Sequence, residues 1–300
     1  MTIKWSLNGA PPSNRYVYEN KQPPYNKVCI GMRGQYGDVI MQEPALRKFI
    51  KENPDTKIVL AVAKKYEQVL PLFKDYHENI IEFKSFEGYD NWPTEEDTEY
   101  LQEQEFDALF PPDIPLHPDP LWAKQRHIVS ETALMIGLTA DTTDIELKMP
   151  QEVKKEPNTI AVHMFSSKWP GGTRSISVEK QTKIVAYLKE LGYKVYQISS
   201  PNQPHIEGTI FEHGTYYDAC IKMLSTDMLI SCDSGMAWVA SAYNHPTIAL
   251  FSTAYNSQIG TTKNWHPVNP NGVYMEELLA DQVPFEKIKE QINLRLGINK

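Results

Sequence analysis

Three short stretches hold the residue types best suited to chemistry. The first is Gly31-Met32-Arg33-Gly34-Gln35-Tyr36-Gly37-Asp38, directly after an apolar run at 27–31. Its glycines permit tight turning and close backbone approach to a ligand. The spacing is G-x-x-G-x-x-G rather than the G-x-G-x-x-G of dinucleotide binding, which disfavours a Rossmann dehydrogenase. Asp38 falls at the start of the next helix, where two roles fit it. It can cap that helix, or it can act as a general base toward a hydroxyl bound in a cleft. The second stretch is Ser166-Ser167-Lys168-Trp169-Pro170-Gly171-Gly172-Thr173-Arg174-Ser175. Two cations, Lys168 and Arg174, among hydroxyls and glycines suit a diphosphate, whose departure needs its developing charge compensated. A solvated surface loop is the alternative. The third is Asp233-Ser234-Gly235, between an apolar run at 228–232 and a helical pattern at 236–243. The backbone N–H groups and positive dipole end of such a helix favour an anion. The alternative is that Asp233 or Ser234 is merely the N-cap. Upstream, His213-Gly214-Thr215-Tyr216 forms a further loop. It fits a nucleobase cradle, with His213 as an ordinary surface histidine the other reading.

These stretches need strands to carry them. Apolar runs at 27–31, 57–63 and 80–83 alternate with helical patterns at 39–52 and 66–73, and 106–110 adds a further strand. Such alternation predicts a parallel, doubly wound sheet. A helix at 122–137 follows. The second half repeats the scheme. Strands at 159–164, 193–199, 210–211, 228–232 and 247–251 alternate with helices at 177–191 (stopped by Gly192), 217–224 and 236–243. The fold class expected is therefore α/β, with two Rossmann-like domains facing each other across a cleft. The divisions are an N-terminal arm at 1–26, a first domain at 27–153, a linker at 154–158, a second domain at 158–280 and a C-terminal segment at 281–300 whose helix covers 285–296. The 84–120 stretch differs. It carries the acidic run Glu95-Glu96-Asp97 and Pro111, Pro112, Pro115, Pro118 and Pro120, which suit either a rigid loop lining the cleft or a plain connector.

Bulk properties narrow the function classes. A chain of 300 residues is long enough for two cores. No apolar run approaches the roughly 20 residues of a membrane span, and the first residues lack the apolar centre of a signal peptide. A cytoplasmic location is expected, with attachment to the inner membrane surface, or the host cytoplasm for a phage-encoded chain, as variants. Cys29, Cys220 and Cys232 sit in apolar contexts without metal-ligand spacing, so buried free thiols and no metal site are expected. The net charge of −8 disfavours broad electrostatic binding of nucleic acid.

With these residues in hand, the chain resembles glycosyltransferase family 9, the ADP-heptose:lipopolysaccharide heptosyltransferases. R-G-Q-Y-G-D-V-I-M-Q-E-P-A-L-R at 33–47 is similar to that family's G-D-V-x-x-x-x-P-A-L segment. K-W-P at 168–170 resembles its K-x-W-P loop, one residue shorter. D-S-G-M-A-W-V-A-S-A-Y-N-H-P-T-I-A-L-F at 233–251 resembles its D-[ST]-G-x-x-H-x-x-A-A-x-x-x-P-x-x-x-x-[FY] segment. The resemblance implies a GT-B fold, acceptor side N-terminal and donor side C-terminal, with the last helix crossing back to the first domain. It implies an inverting, metal-independent transfer from a nucleotide-diphosphate sugar, with no cofactor beyond that co-substrate. Position by position, Asp38 matches the proposed base and Lys168 the lysine near the donor phosphates. Asp233 matches the aspartate facing the donor sugar. Ser234, Gly235 and Met236 match the turn whose backbone holds the diphosphate, and Arg174 shares or replaces the duty of Lys168. Gly34, Gln35, Tyr36 and Gly37 then belong to the acceptor-side loop, and His213, Gly214 and Thr215 to the donor nucleoside. Trp238 departs from the pattern, standing where most members have His.

The expected partners are a nucleotide-diphosphate sugar, ADP-heptose-like by resemblance, and an acceptor glycan or lipopolysaccharide core. An enzyme glycosylating a hydroxymethylated DNA base is an alternative that would need a basic patch around Lys64, Lys65 and Lys74. A non-catalytic nucleotide-sugar binder is another. Tyr36, Trp92 and Trp122 are aromatic candidates for stacking on a sugar or base, with core packing the competing role.

Overall fold

The computed structural model of the chain describes residues 21–32, 34–73, 78–86, 95–110, 127–135, 138–148, 153–166, 172–212, 214–256 and 265–298. In the first half, β1 (Lys27–Met32), β2 (Lys57–Ala63), β3 (Ile80–Phe86) and β4 (Ala108–Phe110) form a parallel sheet in the order β3-β2-β1-β4. In the second half, β5 (Thr159–His163), β6 (Lys194–Ile198), β7 (Ile210–Glu212), β8 (Met228–Cys232), β9 (Thr247–Ser252) and β10 (Gly272–Glu277) are again parallel, in the order β10-β9-β8-β5-β6-β7. The central strands β1, β8 and β9 are buried almost throughout, which is why they read as unbroken apolar runs rather than alternating ones. In each sheet the chain order reverses beside a central strand: at β1, flanked by β2 and β4, and between β5 and β8. Such reversals open a crevice at the carboxyl ends of the strands.

Helices cover both sheets. α1 (Tyr36–Met41) and α2 (Glu43–Glu52) replace the single helix expected at 39–52. The chain breaks at Gln42 because Pro44 opens the second helix and has no N–H to continue the first. The segment expected as a helix at 66–73 is a 3₁₀ run, Lys64–Phe73, with Pro71 inside it. α3 (Glu95–Glu103) opens on the acidic run, α4 (Ile128–Met135) covers the described part of the helix expected at 122–137, and the proline cluster lies outside the described residues. The second half adds α5 (Val178–Glu190), α6 (Tyr216–Ser225), α7 (Gly235–Ala242), the single turn α8 (Thr253–Asn256) and α9 (Phe285–Arg295). Ser177 caps α5 by accepting the Lys180 N–H.

The two halves are joined as well as opposed. One apolar core runs from Val28, Ile30 and Leu60 of the first sheet through α1 to Met223, Leu229, Met236 and Trp238 of the second half. A separate core fills the far face of the second sheet. Ile288 and Ile292 of α9 are fully buried in that second core, beside α5. The last helix was expected to cross back to the first domain; its described residues pack into the second core. Its apolar stripe is already matched by the second sheet's own outer face. α2 also pins the connection between halves. Glu43 accepts the Glu146 N–H at 2.9 Å, and Arg47 reaches Glu43, Glu146 and the Asp144 carbonyl.

Candidate functional site

A cleft of about 860 Å³ lies where the carboxyl ends of the two sheets meet. The β1–α1 loop supplies one wall. Gly34 has φ +109°, and a Cβ there would lie 2.1 Å from the Cβ of Asp38. Only glycine lets the chain turn there with Asp38 in place. Gln35 holds the N-cap position of α1 without a side-chain cap and donates its backbone N–H to Asp38 Oδ2 at 2.8 Å. The capping and site readings of Asp38 thus coexist: Oδ2 holds the helix start, while among the described residues Oδ1 has no hydrogen bond and the side chain lines the cleft.

Opposite stand Arg174 and Asp233. Arg174 Nη1 lies 3.5 Å from Asp233 Oδ2, with side chains only 16% and 11% exposed. Burial pushes the Asp233 carboxyl above the ordinary carboxylate value, against the pull of Arg174. Burial also raises Asp38; the Gln35 N–H and the Arg174 guanidinium oppose that rise, and the Asp233 carboxylate adds to it. Arg174 thus opposes the rise at two carboxylates from different halves, Asp38 and Asp233, and all three line the same cleft.

Ser234 occupies the N-cap position of α7 but does not cap it. Its hydroxyl pairs with Ser231 at 3.1 Å. Gly235 and Met236, in the first turn of α7, line the cleft, and no side chain caps that turn. Gly235 also permits close passage of the opposite loop, because a Cβ there would lie 3.0 Å from the Gly37 nitrogen and 2.7 Å from Tyr216 Oη. Gly214 and Thr215 line the same cleft at the start of α6, where Thr215 caps the helix and Asp218 completes the box. Lys168 and His213 lie outside the described residues, as do Lys74, Trp92 and Trp122. Lys64 and Lys65 are exposed just past the end of β2. Tyr36 lies flat against Tyr216, with ring centroids 3.9 Å apart and planes 5° apart.

Several cleft residues carry no motif and escaped sequence reasoning. His163 ends β5, and its Nδ1 meets the Ile198 carbonyl at 2.7 Å. A carbonyl only accepts, so Nδ1 holds the proton and Nε2 remains an acceptor. Burial lowers the His163 pKa and keeps the ring neutral. A histidine closing a buried strand just before the Lys168 loop was the available signal. Glu212 and Lys222, 3.9 Å apart, line the edge over β7 and α6. Trp238 is 4% exposed; Gly37 packs against its ring and His127 meets it edge-on at 6.2 Å. Among the described residues no cluster of three His, Cys, Asp or Glu side chains is placed to hold a metal, and no helix is long and apolar enough to cross a membrane.

Comparison with known proteins places the fold. No protein-family profile and no curated protein sequence matches the chain. Solved structures do. A family 9 glycosyltransferase from Veillonella parvula is 14% identical, with a TM-score of 0.66 over 92% of this chain and 98% of that one. The E. coli heptosyltransferase WaaC, solved with ADP, is 14% identical, with a TM-score of 0.65 over 90% and 99%. The E. coli ADP-heptose lipopolysaccharide heptosyltransferase II is 13% identical, with a TM-score of 0.66 over 90% and 98%. The fold is thus that of the two-domain glycosyltransferases which the motifs resemble, and the similarity spans nearly the whole of both chains.

Proposed function

We propose that the chain is a glycosyltransferase that holds a nucleotide-diphosphate sugar against its second sheet and presents an acceptor hydroxyl to Asp38. The observation that carries this reading is that Asp38, from the first sheet, and the Arg174–Asp233 pair of the second line one cleft. The donor diphosphate lies at the uncapped start of α7, with Arg174 and Lys168 as counter-charges. The nucleoside extends toward Gly214 and Thr215. Asp38 Oδ1 takes the proton of the acceptor hydroxyl as its oxygen bonds to the anomeric carbon. The bond from that carbon to the diphosphate breaks on the opposite face, so the configuration inverts. The electron pair leaves on the diphosphate, where Arg174 and the α7 N–H groups stabilise it. Charge compensation by these groups is what makes a metal-independent transfer workable here. An ADP-activated heptose is the first donor to test, since WaaC has been solved with ADP and with ADP-2-deoxy-2-fluoro heptose. A glycan of the lipopolysaccharide-core type is the first acceptor.

A thermal-shift screen across ADP-, UDP- and GDP-sugars tests the donor half, since a ligand of the native state raises its melting point by mass action. One class should raise the midpoint well above the others. No shift with any of them at millimolar concentration would overturn the reading.

A further inference from the structure

Two loops on opposite walls of the cleft share one design. Gly34-Gln35-Tyr36-Gly37-Asp38 and Gly214-Thr215-Tyr216-Tyr217-Asp218 both read Gly-x-Tyr-x-Asp. In each, the residue after glycine holds the N-cap position of a helix and donates its backbone N–H to the aspartate, at 2.8 Å in one loop and 2.9 Å in the other. In each, the missing glycine Cβ leaves room for that aspartate: it would lie 2.1 Å from Asp38 Cβ in one loop and 3.0 Å from Asp218 Cβ in the other. The equivalent tyrosines, Tyr36 and Tyr216, are the pair that stack across the cleft. Other contacts support the stack. Gln68, on the first half, accepts the Tyr216 N–H at 2.7 Å. Tyr66 meets Tyr36 edge-on at 5.2 Å. The bare backbones of Gly37 and Gly235 pass beside it. A ring separation of 3.9 Å leaves no room for a planar ligand between the two faces.

We infer that Tyr36 and Tyr216 are a positioning pair whose stack holds the two sheet edges in register, so that Asp38 already faces Arg174 and Asp233 before substrate arrives. The catalytic consequence rests on the transferase reading above; the structural consequence does not. Tyr36 is one residue from Gly37 and two from Asp38, and Tyr216 Oη lies beneath Gly235, so parting the rings separates the two halves of the site.

The inference is tested by spin labels at Lys51→Cys and Glu190→Cys, one exposed site on each half. Cys29, Cys220 and Cys232 are buried and do not take the label. The unsubstituted chain and Tyr36→Phe should give one narrow inter-label distance, since stacking needs the ring and not the hydroxyl. Tyr36→Ala should give a broad distribution with longer distances. Tyr36→Leu and Gln68→Ala, the latter at an exposed position, should broaden it as well and supply the result should the alanine variant fail to fold. In turnover, Tyr36→Ala should lower kcat roughly 10- to 100-fold, because misplacement of about 1 Å has that effect. Affinity for the free nucleoside diphosphate should stay within about threefold, and Tyr36→Phe should recover most of the lost kcat. An unchanged distance distribution in Tyr36→Ala, or a phenylalanine variant as impaired as the alanine one, overturns the inference. Absence of turnover in the unsubstituted chain would count against the transferase reading alone, since the distance measurement still decides the role of the stack.

Discussion

Asp38 serves two ends with two oxygens. Oδ2 is committed to the Gln35 N–H and orients the carboxylate, while the side chain lines the cleft. Asn at this position keeps the shape and loses the basicity, so Asp38→Asn should lower kcat by at least about 10²-fold and leave nucleotide affinity unchanged. Isothermal titration beside steady-state kinetics checks both halves. The pH dependence follows from the direction of the shift. In the proposed reaction the ionised carboxylate is the active form, and burial raises its pKa above the usual 3.8. Activity should therefore fall as pH drops through that raised value, at higher pH than for a solvated aspartate. Arg174 opposes the rise, so Arg174→Gln should move the acidic limb of the kcat/KM profile further upward and weaken donor binding as well. A limb that stays in place would show that the titrating group is not Asp38.

At the scale of elements, Gly34 links a turn to a function. Gly34→Ala and Gly192→Ala both put a side chain in the left-handed region, at φ +109° and +86°, at a cost of about 1–2 kcal/mol. At Gly192 the methyl meets nothing within 4 Å, whereas at Gly34 it meets Asp38. Both variants should melt earlier, and only Gly34→Ala should also lose activity. A second element-level prediction concerns α2. Glu43 is wholly buried, and burial pushes its pKa from 4.5 up to about 7 despite Arg47 and the Glu146 N–H. The folded state holds this proton more tightly than the unfolded chain does. Its stabilising contribution is thus full below about 4.5 and lost as pH rises to about 7. The advantage of the unsubstituted chain over Glu43→Gln should shrink across that window by something of the order of 3 kcal/mol. Chemical denaturation at several pH values reads it directly.

For the molecule as a whole, the core shared between halves sets the expectation. Val28 and Leu60 belong to the same apolar body as Leu229 and Trp238, with the cleft on its flank. Unfolding should be one cooperative transition by calorimetry, not two separated by domain. A nucleoside diphosphate at a hundred times its dissociation constant should shift that single transition as a unit, by about 2.7 kcal/mol. Two resolved transitions, with only the later one ligand-sensitive, would show that the halves are held together more weakly than their shared core implies.

The alternation of buried parallel strands with amphipathic helices was legible because each element repeats a local period. The carboxyl ends that carry Asp38, Arg174 and Asp233 followed from it. Elements without such a pattern escaped: β10 is half-buried at every position, and the division of α1 from α2 depends on Pro44 meeting the preceding turn. The Tyr36–Tyr216 stack was out of reach for a different reason. Residues separated by up to 180 positions come together there through a packing of two halves that no local period encodes. The course of α9 was settled in the same way, by which apolar face remained uncovered once the sheets had formed. Sequence alone determined the strands, the turns and the charged residues at their ends, because these depend on neighbours along the chain. Tertiary structure decided which of those ends meet, because burial and facing are properties of the assembled surface.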